Sequence, residues 1–385
     1  MKKKPLYLLT VAVSVLLVFI GNRAVRGPQV VQDFPHEVVR ATVQNVVGLT
    51  TPDIYFDAFD DFDDTADLLA LLGERLIFEA RIAEGAQRGR IVTAEQSLGD
   101  FWGVGEPLRE VTRGDSILLI HTNDRWFFLE HVRTGKMAVL GALFVLCILL
   151  LGGKKGFNTV LSLGLTCAAV FAVFIPSILS GKNIYVMAAL VCAYTTIMTL
   201  SIVIGFNKKS FAAAIGCLGG ILVTGIITVI MDNILFLTGI IDEHSRLLAT
   251  MPGVSINLRA IVFAGIIIGA MGAIMDVAMS ISSSLWELKE EARELTFETL
   301  FRSGMNIGRD IMGSMANTLI LAYIGTSLSI VLILSVFSNS LTELLNREMI
   351  VIEILQALAG SFGILFAMPL TAFACAIIYV RKARA

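Results

Sequence analysis

Charge is scarce in this 385-residue chain. Only 16% of its residues are Asp, Glu, Lys or Arg, against roughly 25% in a soluble globular domain. A chain so poor in charge cannot cover a water-facing surface of that size, so a wholly soluble fold is excluded. The net charge is −2, which lacks the basic excess of a nucleic-acid binder. The four histidines, His36, His121, His131 and His244, are scattered and offer no metal-ligand spacing. The five cysteines (Cys147, Cys167, Cys192, Cys217 and Cys375) all lie inside apolar runs, and no pair has metal-ligand spacing. They read as small packing residues. Catalytic motifs are missing too: the chain has no Walker A loop, no H-E-x-x-H and no G-x-S-x-G. An intramembrane aspartyl protease would need two aspartates at matched depth, and Asp310 lies too close to the surface to partner Asp276. The expectation is a non-enzyme without a cofactor.

Apolar sequence is what the chain has in quantity. Hydrophobic residues make up 56% of it, and they gather in runs of the about 20 residues that cross a bilayer. The chain reads as an all-α polytopic membrane protein whose main partner is the lipid bilayer. Lys2, Lys3 and Lys4 precede an apolar run from Leu6 to Ile20, a basic start and apolar core like those of a signal peptide. No small-x-small cleavage site follows, so residues 1–26 are expected to stay as a transmembrane anchor. Seven further runs span residues 137–151, 157–179, 184–206, 211–237, 260–285, 311–337 and 355–380. Eight transmembrane helices are therefore expected. Lys154-Lys155, Lys208-Lys209 and Arg381-Lys382-Arg384 then fall on the same side as the N-terminal lysines. By the positive-inside rule both termini are cytoplasmic, in the plasma membrane, and residues 27–134 are extracytoplasmic.

Residues 27–134 alternate polar and apolar side chains in short stretches: 38–43, 75–82, 90–94, 116–121 and 126–132. Gly114-Asp115 and Asn123-Asp124 supply turns between them. Five short strands predict a small extracytoplasmic β domain, either an OB-like barrel or a compact sandwich. An acidic run interrupts it, with Asp57, Asp60, Asp61, Asp63, Asp64 and Asp67 around Phe56, Phe59 and Phe62. Clustered carboxylates suit hard divalent cations. The run lacks the spacing and glycine of an EF-hand loop, so a solvated insertion is the competing reading.

Residues 135–385 form the expected membrane domain, and its centre is the stretch from Gly265 to Gly325. Gly265, Gly269, Gly272, Asp276, Ser280 and Ser283 recur at intervals of three or four, which places them on one helical face. Small residues there allow close approach of another helix. Asp276 lies about 16 Å of helix from Glu287, near the middle of a hydrocarbon core about 30 Å thick. An unpaired charge at that depth costs at least about 2.5 kcal/mol, so the carboxyl is expected to be protonated or partnered. On the next helix Asn306, Asp310, Gly313 and Asn317 share a face, with Arg309 adjacent. The expectation is that this face meets Asp276 and that Asn317 or Arg309 bonds it. Between the two helices, residues 286–310 mix Trp286, Leu288, Leu295, Phe297, Leu300 and Phe301 with charges such as Glu287, Lys289, Glu290, Glu291, Arg293, Glu294 and Glu298, and predict an amphipathic link at the cytoplasmic interface. Gly216 and Gly220 form a G-x-x-x-G packing site on an earlier helix.

The stretches Gly269–Leu288 and Ser303–Gly325 resemble the signature of the YibE/F-like membrane proteins of bacteria. That resemblance implies a multi-spanning plasma-membrane protein and carries no residue roles. The arrangement of an external domain after the first helix, with a buried Asp later, is also similar to the SecD/SecF branch of resistance-nodulation-division proteins. Those use intramembrane Asp and Arg with proton flow, but this chain has two more helices. Two functions follow as expectations: a permease or ion-coupled transporter centred on Asp276 and Asn317, or an envelope assembly scaffold. In the second, the β domain binds an envelope partner or another copy of the chain and the polar residues lock the bundle.

Overall fold

A computed structural model describes residues 3–25, 37–50, 75–98, 109–122, 125–250, 256–291, 296–338 and 340–380. The acidic run from Asp57 to Asp67, with its candidate cation ligands Asp57, Asp60, Asp61, Asp63 and Asp64, lies outside the described residues. The chain divides into two compact units, one of residues 31–146 and one of residues 1–30 with 147–385.

The first unit is built on five strands: β1 (Glu37–Thr50), β2 (Arg75–Ile82), β3 (Ile91–Ser97), β4 (Ser116–Thr122) and β5 (Arg125–His131). They close into a barrel in the order β1-β2-β3-β5-β4, so of the two expected architectures it is the barrel, a five-stranded one of the OB type. Neighbouring strands are antiparallel except β3 and β5, which pair in parallel through Ala94 and Trp126. The alternation seen in the sequence becomes the inside of the barrel: Val39, Ala41, Val43, Phe78, Ala80, Ile117 and Leu119 are buried. β1 is long enough to pair with both β2 and β4 because register shifts at Val43/Asn45 and Val46/Gly48 bend it. Among the described residues of the barrel Gln96 is the one buried side-chain amide. Its Oε1 accepts from the Val111 N–H at 2.9 Å and its Nε2 donates to the Arg109 carbonyl at 2.9 Å, so it ties the segment before β4 to β3. At the β4 turn Asp115 accepts from the Thr112 N–H and hydroxyl, both at 2.9 Å. The Thr112 amide bond, set against a small burial penalty, holds the Asp115 carboxyl below the usual carboxylate range.

The second unit is helical. Its helices are α1 (Lys3–Val25), α2 (Thr134–Ala169, whose start up to Leu146 belongs to the first unit), α3 (Ile175–Leu179), α4 (Ile184–Val203), α5 (Lys208–Ile234) and α6 (Glu243–Ala249). They continue with α7 (Leu258–Glu291), α8 (Phe297–Thr326), α9 (Leu328–Phe337), α10 (Leu341–Asn346) and α11 (Glu348–Tyr379). A π-helical turn at Val170–Phe174 joins α2 to α3 just before Pro176. Among the described residues six helices are long and apolar enough to cross a membrane, or seven if α8 and α9 count as one span bent by 61°. This is a multi-pass membrane protein, but the count differs from the expected eight. The runs at 137–151 and 157–179 lie in one 46-residue stretch that counts once by length, although it is two helices joined at a break. Straight, it would be about 69 Å long, but Gly153 breaks it with φ 53° and ψ −127°. The chain folds back so sharply there that a Cβ on Gly156 would collide with the Ile148 carbonyl.

The core of this unit is the meeting of α5, α7 and α11. Gly216 and Gly220 of α5 lie against α11, where a Cβ on Gly216 would stand 2.9 Å from Thr371 Cα. Gly363 of α11 returns the close approach: its added Cβ would be 2.6 Å from Ile274 Cδ1 and 3.2 Å from the Gly220 carbonyl. Buried Ala270, Ile274, Ala278 and Ile281 of α7 complete the layer. α7 runs on to Glu291, α8 starts at Phe297 with Thr296 as its cap, and residues 292–295 of the expected amphipathic link lie outside the described residues. The charges at 287–291 and 298–310 belong to the ends of two long helices. On the far side Glu348, at the start of α11, accepts from the Thr238 and Gly239 amides at 2.6 and 2.7 Å and fixes the loop after α5.

Candidate functional site

α7 is buried around most of its circumference. Its apolar residues from Ala260 to Leu285 pack toward α4, α5, α8 and α11. One stripe stays open, the stripe the sequence singles out. Gly265, Gly269, Gly272 and Asp276 are all exposed, and Ser280 and Ser283 are half-buried. A Cβ on Gly265 or Gly272 would meet nothing within 4 Å. Among the described residues Gly265 and Gly272 therefore meet no neighbouring helix, unlike what the spacing had implied, and the stripe stays open there. Gly269 alone is capped, by the Tyr323 hydroxyl at 2.8 Å and Gln356 Nε2 at 3.6 Å from its would-be Cβ.

Asp276 stands on this stripe about 15 Å along α7 from Trp286, at 1.5 Å per residue. Among the described residues no hydrogen bond or ion pair reaches its carboxylate. The expected bond from Asn317 or Arg309 is not made. The reason is the orientation of α8. Its buried face runs through Leu300, Gly304, Gly308 and Leu319, where Gly304 and Gly308 sit against Ala372, Met368 and Ile281. That choice turns the opposite face outward, so Asn306, Arg309, Asp310, Gly313 and Asn317 are all exposed. Gly313, like Gly272, has open space where a Cβ would be. Arg309 Nη1 reaches Asn306 Oδ1 at 3.5 Å, a bond within its own helix. Two polar surfaces thus lie open within the membrane unit, the α7 stripe and the outer face of α8.

A family model described as YibE/F-like protein matches residues 140–381. The chain belongs to that family. Comparisons with curated proteins and with solved structures give no match. In this YibE/F-like chain the matched segment contains Asp276, the polar face of α8 and the whole α5–α7–α11 core, while α1 and the barrel lie outside it.

Two further clusters in the YibE/F-like segment were not anticipated from sequence. At the far end of the open stripe, Tyr323 of α8 and Gln356 of α11 close over Gly269. Glu353, one turn before Gln356, carries an Oε2 that is buried and without a hydrogen-bond partner. A glutamate near a helix end reads as solvated, and only the packing of α8 over α11 encloses it. At the other end Ser282 joins three helices. Its Oγ donates to the Lys209 carbonyl at 2.8 Å and lies 2.7 Å from the Tyr379 hydroxyl, which donates to the Ser282 carbonyl at 3.1 Å. The Tyr379 ring meets Trp286 edge-on at 5.1 Å, and the Lys289 ammonium lies over both rings. This aromatic and basic group marks the interfacial end of α7. Asp276 is then about half a hydrocarbon core away from it. Among the described residues no group of three or more His, Cys, Asp or Glu could hold a metal ion.

Proposed function

We propose that the protein is a non-enzymatic, ion-coupled permease in which Asp276 takes up and releases a proton or small cation along the open stripe of α7. The observation that carries this reading is the state of Asp276: a carboxylate deep in an apolar helix, on the one open stripe, with no bond among the described residues. A carboxylate kept for structure is normally hydrogen-bonded, because a bare charge at such depth costs about 2.5–3.5 kcal/mol. An exchange site instead needs access and alternates between charged and neutral forms. Asn317, with Asn306, Arg309 and Asp310, gives the neighbouring α8 a polar face that suits a water-lined wall. The proposed topology has eight crossings, with α2 turning back at Gly153 between two of them and α8–α9 forming one broken span. Both termini are cytoplasmic, in the plasma membrane, and the barrel is outside. Broken helices are tolerated at membrane depth where they border a cavity.

A second reading, a scaffold for envelope assembly, is favoured by the tight glycine-mediated closure of α5 on α11. Cysteine accessibility separates the two. In a chain with all five native cysteines replaced, Gly272→Cys and Ser280→Cys should react with a membrane-impermeant thiol reagent. Leu222→Cys, on the exposed apolar face of α5, should stay unlabelled. Protection of all three positions would refute the permease reading.

A further inference from the structure

We propose that the cleft between α1 and α4 is a binding site for one anionic phospholipid, with an acyl chain in an apolar groove and the phosphate headgroup in a polar pocket at its mouth. α1 is held to the bundle by a few polar rivets. Tyr7 donates to Asn158 Oδ1 at 2.8 Å, Tyr194 donates to the Ser14 carbonyl at 3.1 Å, and Asn22 Nδ2 donates to the Ala172 carbonyl at 2.5 Å. Between the rivets the helices do not close. A groove of about 430 Å³ is lined by Leu9, Val13, Leu17, Leu190, Ile197 and Met198. Past Tyr194 it continues into a second apolar groove of about 330 Å³ beside Ile20, Gly21 and Val173. From Thr10 to Gly21 the two run about 16 Å along α1, which is the depth of one leaflet of a core about 30 Å thick.

The groove opens at one end into a pocket of about 250 Å³ of different character, with Thr10, Ser201 and Phe206 shared between them. This pocket is lined by Tyr7, Asn158, Asn207 and the backbone from Ile202 to Phe206. Lys154 and Lys155 lie within one turn of Asn158, and Lys208 follows Asn207; all three are exposed. Asn207, which lines the pocket, is also the N-cap of α5, so the positive end of that helix lies at the mouth, where anions are favoured. None of the residues lining the three cavities is acidic. An apolar slot is not a site for ordered water, which needs two to four polar partners. A hydrocarbon chain fills it, and the basic, amide-rich mouth selects a negatively charged headgroup from the leaflet on the lysine side.

The test uses the full-length protein, delipidated in detergent and titrated with phosphatidylglycerol or phosphatidylcholine of identical chains, with bound lipid read by native mass spectrometry. The parent should retain phosphatidylglycerol preferentially. Ala193→Trp fills the groove and should weaken retention of both lipids about tenfold. Replacing Lys154, Lys155 and Lys208 by Gln should leave phosphatidylcholine binding unchanged. It should reduce the preference for phosphatidylglycerol by about fivefold per lysine, the equivalent of ~1 kcal/mol for each basic residue near an anionic lipid. Lys182→Gln, exposed and not among the cleft-lining residues, is the charge control. Equal binding of the two lipids by the parent, or full retention by a monodisperse Ala193→Trp protein, would overturn the proposal. So would a dimer that Ala193→Trp dissociates without change in bound lipid, since the groove would then hold a second copy.

Discussion

Gly216→Ala and Gly272→Ala add the same methyl group to two transmembrane helices, and the structure predicts opposite results. At Gly216 the new Cβ would overlap the Thr371 hydroxyl and stand 2.7 Å from Thr371 Cβ and 2.9 Å from its Cα. Rotating the Thr371 side chain cannot relieve a contact with Cα, so α5 must move away from α11. That movement disturbs Gly220, Gly363 and Ile274, which depend on the same approach. Overpacking of this kind costs about 1–3 kcal/mol, offset by at most about 1 kcal/mol from the better helix propensity of alanine. At Gly272 nothing lies within 4 Å of the added methyl, so only the propensity gain remains. Thermal unfolding of the two variants in the same detergent should show Gly216→Ala below the parent and Gly272→Ala equal to it or above. A loss at Gly272 as large as that at Gly216 would mean that a helix covers the stripe, and the open stripe would be refuted.

Other substitutions probe separate parts of the fold. Gln96→Leu leaves the enclosed Val111 amide without its acceptor and should destabilise the barrel by about 1–3 kcal/mol, seen as faster hydrogen exchange in β3 and β4. Tyr379→Phe keeps the ring against Trp286 but removes the hydroxyl that donates to the Ser282 carbonyl. It should cost about 0.5–1.5 kcal/mol in a detergent melt. Asp115 has a carboxyl depressed by the Thr112 amide, so its contribution is present above the unfolded value near 3.9 and is lost as pH falls through the lower folded value. Asp115→Asn should therefore lower barrel stability at pH 7, by under about 1 kcal/mol given its exposure, and the difference from the parent should shrink as pH falls below the unfolded value.

Much of the architecture was legible because it depends on periodicity within one segment. The alternation in 75–82 gives β2 directly, since a two-residue period on a half-buried strand admits little else. The three- and four-residue spacing around Asp276 correctly groups Gly265, Gly272 and Asp276 on one face. Spacing fixes the phase of a face, however, and says nothing about what lies opposite it. Gly216–Gly220 and Gly265–Gly269–Gly272 look alike in sequence, yet the first pair is packed against α11 and most of the second set is open. The outward turn of α8 was illegible for the same reason: Gly304 and Gly308 compete with the polar residues for the inner face, and Ala372 and Met368, in a distant segment, decide the outcome. The apolar run 311–337 carries no proline at its 61° bend, and its only local mark is the Gly325 and Ser327 that flank Thr326. The Glu353, Tyr323 and Gln356 cluster comes from three separate turns of two helices and exists only after they pack.

The central claim is that Asp276 exchanges a proton or cation across the membrane. The most direct measurement is proton flux in proteoliposomes, with an internal pH-sensitive dye following an imposed pH gradient and potential, comparing the parent chain with Asp276→Asn at equal reconstitution. The account predicts protein-dependent flux in the parent and its loss in Asp276→Asn, with the variant still folded by circular dichroism. Flux undiminished in Asp276→Asn, or parent vesicles no leakier than empty ones under either gradient, would contradict it.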